Sequence, residues 1–192
     1  MLMSIQQELN RGASLLGGAA SDSKLIETIA AVTNLSVSAL RNGNKILLCG
    51  NGGSAADAQH WAGELVSRFY FDRPALPAIA LTTDTSILTA IGNDYGYEQL
   101  FARQIQALGN KGDVLFAIST SGKSPNILAA VKAAKTKSVV TVGFTGTKGK
   151  DLADLADHCI RAPSDSTPDI QLAHEAIGHT ICMLIEEQLF KK

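Results

Sequence analysis

The stretch that decides the fold is Lys45 to His60, KILLCGNGGSAADAQH. It begins with a short apolar run, 45–49, which is typical of a strand buried on both faces. Glycines follow at once, and the residues from about 55 to 69 have the composition and spacing of a helix. A strand that enters a helix through a tight glycine turn is the opening half of a unit that joins parallel strands.

The same alternation of strand and helix continues outward from this stretch. Further strands are predicted at 77–81, 113–118, 139–144 and 158–161, and further helices at 85–91, 125–136 and 169–190. Two helices, about 3–16 and 22–41, precede the first strand, the second with a Ser21/Asp22 cap and an Asn42-Gly43 end.

This pattern predicts an α/β fold, because parallel neighbouring strands need crossover connections. We expect a doubly wound parallel sheet of flavodoxin type within a three-layer α/β/α sandwich. The length of 192 residues suits a single domain, with an N-terminal helical segment (1–42) and an α/β core (43–192).

Composition and charge exclude several classes of function. Hydrophobic residues make up 45% and charged residues 18%, the usage of a globular chain with a buried core. The 17 basic and 18 acidic residues give a net charge of −1, so we expect no nucleic-acid partner. Because the sequence shows neither a leader pattern nor an apolar run near ~18 residues, we expect a soluble, cytoplasmic protein without a membrane partner. The three cysteines are odd in number and scattered along the chain, so we expect them to be buried side chains with a structural role.

The loop after the third predicted strand, Ser119 to Ser124, is rich in hydroxyls and leads to Pro125. Proline is favoured at the first position of a helix, and a helix N-terminus carries unpaired N–H groups and partial positive charge. Such a loop can hold a phosphate without several lysines. A serine-rich loop that only caps its helix is the alternative. The position after a buried strand, where ligands bind in such sheets, favours phosphate binding.

The loop Gly50 to Ala55 matches the dinucleotide-binding pattern G-x-G-x-x-A. That pattern also needs an acidic residue at the end of the next strand, to bind the ribose. Asp72 has the right distance along the chain, but it precedes Arg73-Pro74 and the next predicted strand. We favour the alternative, in which the glycines let the backbone approach a small polar substrate.

Polar side chains form one stripe on each of two predicted helices. Offsets of three and four align Asp57, His60, Glu64 and Arg68, and offsets of four align Gln171, Glu175 and His179. Their nitrogen and oxygen atoms suit zinc. Without a metal, Glu64 and His179 can act as base and acid in an aldose–ketose interconversion. A solvated helix edge with an ordinary Glu64–Arg68 pair is the alternative.

Three segments together resemble the phosphoheptose isomerases, enzymes with the SIS fold. They are 49–60 with Gly63-Glu64, 88–96 and 118–124, and the resemblance spans nearly the whole chain. It implies a homotetrameric isomerase that converts sedoheptulose 7-phosphate to D-glycero-D-manno-heptose 7-phosphate through an enediol. This reaction is the first step toward the heptose of the bacterial lipopolysaccharide core. The resemblance also implies one zinc ion per subunit.

The resemblance transfers site residues to this chain by motif. The implied zinc ligands are His60, Glu64, Gln171 and His179. The implied substrate contacts are Gly52, Gly53, Ser54, Glu64, Asn93, Asp94, Ser119, Thr120, Ser121, Ser124 and Gln171. Glu64 and His179 are the implied catalytic residues: Glu64 would move a proton between C1 and C2, and His179 would serve the sugar oxygens.

The chain departs from that family in its last helix. Leu172 replaces an acidic residue, and Glu175 occupies a usually apolar position between Gln171 and His179. Glu175 would either join the metal ligands or support them from outside, and we favour the second role. Two non-enzymatic alternatives are an SIS protein that binds the replication initiator and a sugar-phosphate-sensing module. The presence of Glu64 with both histidines favours the enzyme.

Overall fold

The computed structural model describes residues 1–191 and begins with two long helices, α1 (Leu2–Ser21) and α2 (Ser23–Arg41). Asp22 separates them and caps α2, because its carboxylate accepts a hydrogen bond from the Leu25 N–H over 3.1 Å. The predicted end of α1 near residue 16 is wrong. The helix continues through two glycines because its last turns pack against the body, where Ala19 is buried.

The central sheet is parallel throughout. Its strands are β1 (Ile46–Gly50), β2 (Ala78–Ala80), β3 (Val114–Ile118), β4 (Val140–Thr145) and β5 (His158–Arg161). Their order in the sheet is β2-β1-β3-β4-β5, the flavodoxin-type order. In this register Leu48 of β1 lies between Ala80 of β2 and Phe116 of β3. The predicted parallel α/β fold is therefore confirmed.

Helices cover both faces of the sheet. They are α3 (Gly53–Val66), α4 (Thr85–Asp94), α5 (Leu100–Leu108), α6 (Pro125–Thr136), α7 (Lys150–Leu155) and α8 (Thr167–Phe190). The sequence patterns do not predict α5 and α7, which have nine and six residues. Within residues 1–191 no helix has both the length and the apolar character needed to cross a membrane.

Alternate residues of β1 build the two cores that define the three layers. Ile46 and Leu48 pack in the core beneath α2, α3 and α8, whereas Leu47 and Cys49 pack in the core beneath α5 and α6. All four side chains are 0% exposed. Burial raises the pKa of the Cys49 thiol well above its usual range, so this cysteine behaves as a small apolar side chain, as predicted.

The chain leaves β1 and β3, which are neighbours in the sheet, toward opposite faces. β1 leads into α3 on one face, and β3 leads into α6 on the other. The two loops therefore flank the point at which the strand order reverses. In open sheets of this kind ligands bind in the crevice at that point.

Candidate active site

The glycine loop, Gly50 to Ser54, makes a tight turn from β1 into α3. Gly52 has a φ of 56°, in the left-handed region that favours glycine. Gly52 and Gly53 are exposed, whereas Ser54 is 4% exposed. The acidic partner of a dinucleotide-binding loop is not in place, because Asp72 lies in an irregular segment before β2 and not at the end of a strand.

A pair of asparagine amides joins the glycine loop to α6. Asn51 Nδ2 donates to Asn126 Oδ1 over 2.9 Å, and Asn126 Nδ2 donates to Asn51 Oδ1 over 2.8 Å. The Tyr97 hydroxyl donates to the same Asn51 oxygen over 3.0 Å. These bonds fix the two loops relative to each other, since Asn126 is 1% exposed. Asn51 lies in the predicted glycine loop, but its bonds to Asn126 and Tyr97 are not predicted from the sequence, because they join residues far apart along the chain.

The serine loop, Ser119 to Ser124, presents hydroxyls and backbone donors ahead of α6. Ser119 Oγ and Ser124 Oγ share a hydrogen bond of 3.0 Å. Within residues 1–191, the N–H groups of Thr120, Ser121 and Ser124 bond to no other backbone group. Together with the N-terminus of α6 they form the kind of concavity that binds an anion.

Three side chains converge where α3 and α8 pack together. His60 Nε2 lies 3.1 Å from Glu64 Oε1 and 3.3 Å from His179 Nε2. One ligand atom of each residue lies within 4.8 Å of the others, a spacing that suits a divalent metal ion. Between 24% and 46% of each side chain is exposed, so the group is open to a ligand. We call these three residues the metal group.

Two other polar residues of the predicted helices lie outside the metal group: Arg68 follows the end of α3 at Val66, and His174 lies on α8. Arg68 is exposed and forms no ion pair within residues 1–191, so the alternative of an ordinary Glu64–Arg68 pair is wrong. His174 is buried, with its Nε2 3.2 Å from the Thr145 carbonyl oxygen. Burial lowers the pKa of His174 to about 4, as expected of a neutral core histidine.

Gln171 lies nearer the glycine loop than the metal group does. Its side-chain amide touches Gly53, where any side chain would collide with it. Two helical turns, about 12 Å, separate it from His179 along α8. The structure thus brings together three of the four predicted metal ligands and sets the fourth against the glycine loop.

Glu175 brings a second carboxylate to the metal group. Its Oε1 lies 2.8 Å from His60 Nδ1 and 3.1 Å from His179 Nε2. Its Oε2 accepts a hydrogen bond from Trp61 Nε1 over 3.1 Å. The side chain that departs from the family pattern therefore contacts both histidines.

Asp57 lies one turn before His60 on α3. Its Oδ2 is buried and has no hydrogen-bond partner within residues 1–191. Burial, reinforced by the negative charge of Glu175 and opposed by His60, raises the pKa of Asp57 to about 6. A carboxyl group with such a pKa can hold or release a proton near neutral pH.

The predicted substrate residues Asn93 and Asp94 form the last turn of α4. Both are exposed, and Asn93 Nδ2 donates to Asp94 Oδ1 over 2.8 Å. Leu88 and Gly92 of the same helix line a cleft of about 380 Å³ together with the glycine loop. A ligand in this cleft would contact α4 and the glycine loop at once.

The fold and its loops match a known domain. Residues 19–146 match the SIS domain, and this range contains both the glycine loop and the serine loop. Since it covers more than half of the chain, the protein is an SIS-domain protein.

Close relatives narrow this class. The phosphoheptose isomerase of Burkholderia pseudomallei (strain 1710b) is 60% identical over 172 residues, 90% of this chain and 87% of that protein. The phosphoheptose isomerase of Aneurinibacillus thermoaerophilus is 56% identical over 187 residues, which cover 97% of this chain and 92% of that protein. The structure of a phosphoheptose isomerase from Francisella tularensis matches with a TM-score of 0.92 at 40% identity, covering 97% of this chain and 98% of that one. The chain belongs to the phosphoheptose isomerase family.

Proposed function

We propose that this protein is a sedoheptulose 7-phosphate isomerase, which forms D-glycero-D-manno-heptose 7-phosphate through an enediol. The observation that carries the proposal is the convergence of His60 and Glu64, on the helix that follows the glycine loop, with His179 of α8. The strand before the serine loop is the neighbour of the strand before the glycine loop. A phosphate site and a set of proton-transferring groups therefore share one end of the sheet.

The serine loop is the proposed phosphate anchor. Ser119, Thr120, Ser121 and Ser124 supply hydroxyls, and three of these residues also supply backbone N–H groups that bond to no other backbone group in the described part of the chain. The partial positive charge at the N-terminus of α6 adds to these donors. We propose that the sugar chain lies along the exposed backbone of Gly52 and Gly53. The remaining proposed sugar contacts are Ser54, Asn93, Asp94 and Gln171.

We propose zinc as the metal, one ion per subunit, held by His60, Glu64 and His179 with Gln171 from the glycine-loop side. The nitrogen and oxygen donors of the metal group fit its preferences, and they lie within 4.8 Å of one another. When bound, the ion would polarise the substrate carbonyl and stabilise negative charge on the sugar oxygens.

Proton transfer is assigned to Glu64 and His179. Interconversion of a ketose and an aldose requires a proton to leave one carbon and return to its neighbour, while protons also exchange at the oxygens. Glu64 Oε1 lies 3.1 Å from His60 Nε2, and we assign the proton transfer between the sugar carbons to the Glu64 carboxylate. His179 would serve the sugar oxygens, and Glu64 would alternate between holding the ion and moving the proton.

We also propose a cytoplasmic homotetramer whose product supplies heptose to the lipopolysaccharide core. The exposed apolar side chains at the start of α1 support an assembly of subunits, since apolar surface of this kind is typical of protein–protein contacts. They are Leu2, Met3, Ile5 and Leu9, all more than half exposed. Removal of residues 1–20 should lower the oligomeric state measured by light scattering. An unchanged tetramer would contradict this role of α1.

Isomerase assays with zinc-loaded protein and sedoheptulose 7-phosphate test the function. Glu64→Gln keeps the shape of the side chain but removes the base, so turnover should fall at least ~100-fold. Glu187→Gln is the matched control, since Glu187 lies on α8 and pairs only with Lys191 among residues 1–191. A parent protein without turnover would favour a sensing module or a replication-initiator partner, because neither requires the metal group.

A further inference from the structure

The Glu175 carboxylate holds two N–H donors at once. Its Oε1 lies 2.8 Å from His60 Nδ1, and its Oε2 accepts from Trp61 Nε1 over 3.1 Å. A carboxylate can serve both donors because each of its oxygens is an acceptor. Both contacts run from α8 to α3, so this one side chain connects the two helices that form the metal group.

The two ring nitrogens of His60 face different partners. Nδ1 faces Glu175, and Nε2 faces Glu64 and His179. A carboxylate beside Nδ1 keeps the proton on that nitrogen, which leaves the lone pair of a neutral ring on Nε2. The lone pair then points toward the other two members of the metal group.

The carboxylate is itself held by a rigid neighbour. Trp61 is 0% exposed and packs against Phe144 with a ring-centroid distance of 5.1 Å. Gly178 of α8 lies against the indole so closely that any side chain there would collide with it. The indole N–H is therefore fixed in direction, and it fixes Glu175 Oε2 in turn.

We propose that Glu175 is a positioning residue that sets the His60 tautomer and thereby raises the affinity of the metal group for a divalent ion. This inference rests on the metal of the proposed function. Carboxylates that accept from the second nitrogen of a metal-binding histidine are a recurrent means of orienting the ring and raising its basicity.

The contacts favour this role over direct ligation. The ligand atoms that lie within 4.8 Å of one another belong to His60, Glu64 and His179. Glu175 contacts His60 at Nδ1, whereas the other ring nitrogen, Nε2, lies beside Glu64 and His179. Its second contact, 3.1 Å to His179 Nε2, uses a nitrogen of the metal group, so that contact and a metal ion compete. The contact with His60 has no such conflict.

Zinc affinity of the metal-free, full-length protein tests the proposal by competition with a chromophoric chelator. Glu175→Gln leaves one acceptor oxygen for two donors, so zinc should bind about 10- to 100-fold more weakly. Trp61→Phe removes the competing donor, and the double variant should regain much of the lost affinity. Glu187→Gln is the control and should bind zinc as the parent does.

Cobalt(II) spectra separate positioning from ligation. A positioning role predicts the parent's visible absorption in cobalt-saturated Glu175→Gln, at a higher cobalt concentration. An altered spectrum would show that Glu175 is a ligand and overturn the proposal, and so would unchanged zinc affinity in Glu175→Gln or absence of zinc binding in the parent. Isomerase turnover of the parent protein is measured separately. Absent turnover would contradict the proposed function, whereas unchanged zinc affinity in Glu175→Gln would contradict only the positioning role of Glu175.

Discussion

Arg73 and Glu186 form an ion pair in which 2% and 0% of the side chains are exposed. Arg73 Nε lies 3.1 Å from Glu186 Oε1, and Glu186 also accepts from the N–H groups of Phe69 and Tyr70 over 2.8 and 2.7 Å. Arg73 in addition donates to the Glu64 carbonyl oxygen over 2.8 Å. This network ends α3 at Val66, earlier than predicted, and anchors the turn that carries Glu64.

Glu186→Gln should lower the free energy of unfolding by about 3–5 kcal/mol, because it leaves the buried Arg73 charge without its partner. Urea denaturation measures this. Glu187→Gln, one position further on an exposed site, is the control, and equal losses in the two variants would contradict the prediction.

Acid unfolding should depend on the same pair. Burial would raise the pKa of Glu186, but hydrogen bonds from Tyr70, Phe69 and Arg73 outweigh it and hold this pKa below its ordinary value of 4.5. The stabilisation is therefore complete above about pH 4.5 and is lost as the pH falls through the folded-state pKa. Unfolding free energies between pH 6 and 3 should fall more steeply in the parent than in Glu186→Gln, and parallel curves would count against this.

Asp57→Asn should stabilise the metal-free protein above pH 6. The folded-state pKa of Asp57 is raised from 3.8 to about 6, so its contribution to stability is full below pH 4 and is lost as the pH rises through 6. Melting temperatures of parent and variant should diverge across this window. A pH-independent difference would show that Asp57 does not titrate there.

Asn126→Asp should cost about 1–3 kcal/mol of unfolding free energy, because it places a carboxylate at the buried Asn126 position, where the Asn51 oxygen loses its donor. It should also lower kcat/KM, since both loops of the proposed substrate site would shift. Asn34→Asp on the exposed side of α2 is the control. Full activity in Asn126→Asp would exclude a role for the amide pair in holding the loops.

Gly53→Ala should weaken catalysis by displacing Gln171, whose amide occupies the space of the added carbon. We expect about a 10-fold loss in kcat/KM, equivalent to roughly 1.4 kcal/mol. Gly63→Ala on the same helix has open space at its Cβ and provides the matched control. Equal kinetics in the two variants would refute the expected collision.

The central strands β1 and β3 were predictable because each is a continuous apolar run buried on both faces. The apolar run 45–49 became β1 at Ile46–Gly50, and 158–161 became β5 with the same bounds. Helix α5 was not predictable from the sequence, because its nine residues show little more than two helical turns of apolar pattern. Its helical state depends on packing, since Phe101 and Ile105 are buried in the core on that face.

The sequence predicts the parts of the candidate site that lie on one face of a single helix. His60 and Glu64 share a face of one helix, and Glu175 and His179 share a face of another, so each pair is visible in the sequence. Contacts between the two helices are not visible, because they depend on how α3 and α8 cross. The contact of Glu175 with His60 and the bond of Asn51 to Asn126 are of this second kind.

The metal group spans 119 positions of the chain, from His60 to His179. The match to the SIS domain ends at residue 146, before α8 begins at Thr167. A chain emerging from the ribosome can therefore complete the sheet and the serine loop while His179 of the metal group is still missing. The zinc site proposed above would therefore form only after α8 has docked against α3, so zinc binding would report that the two helices have packed together.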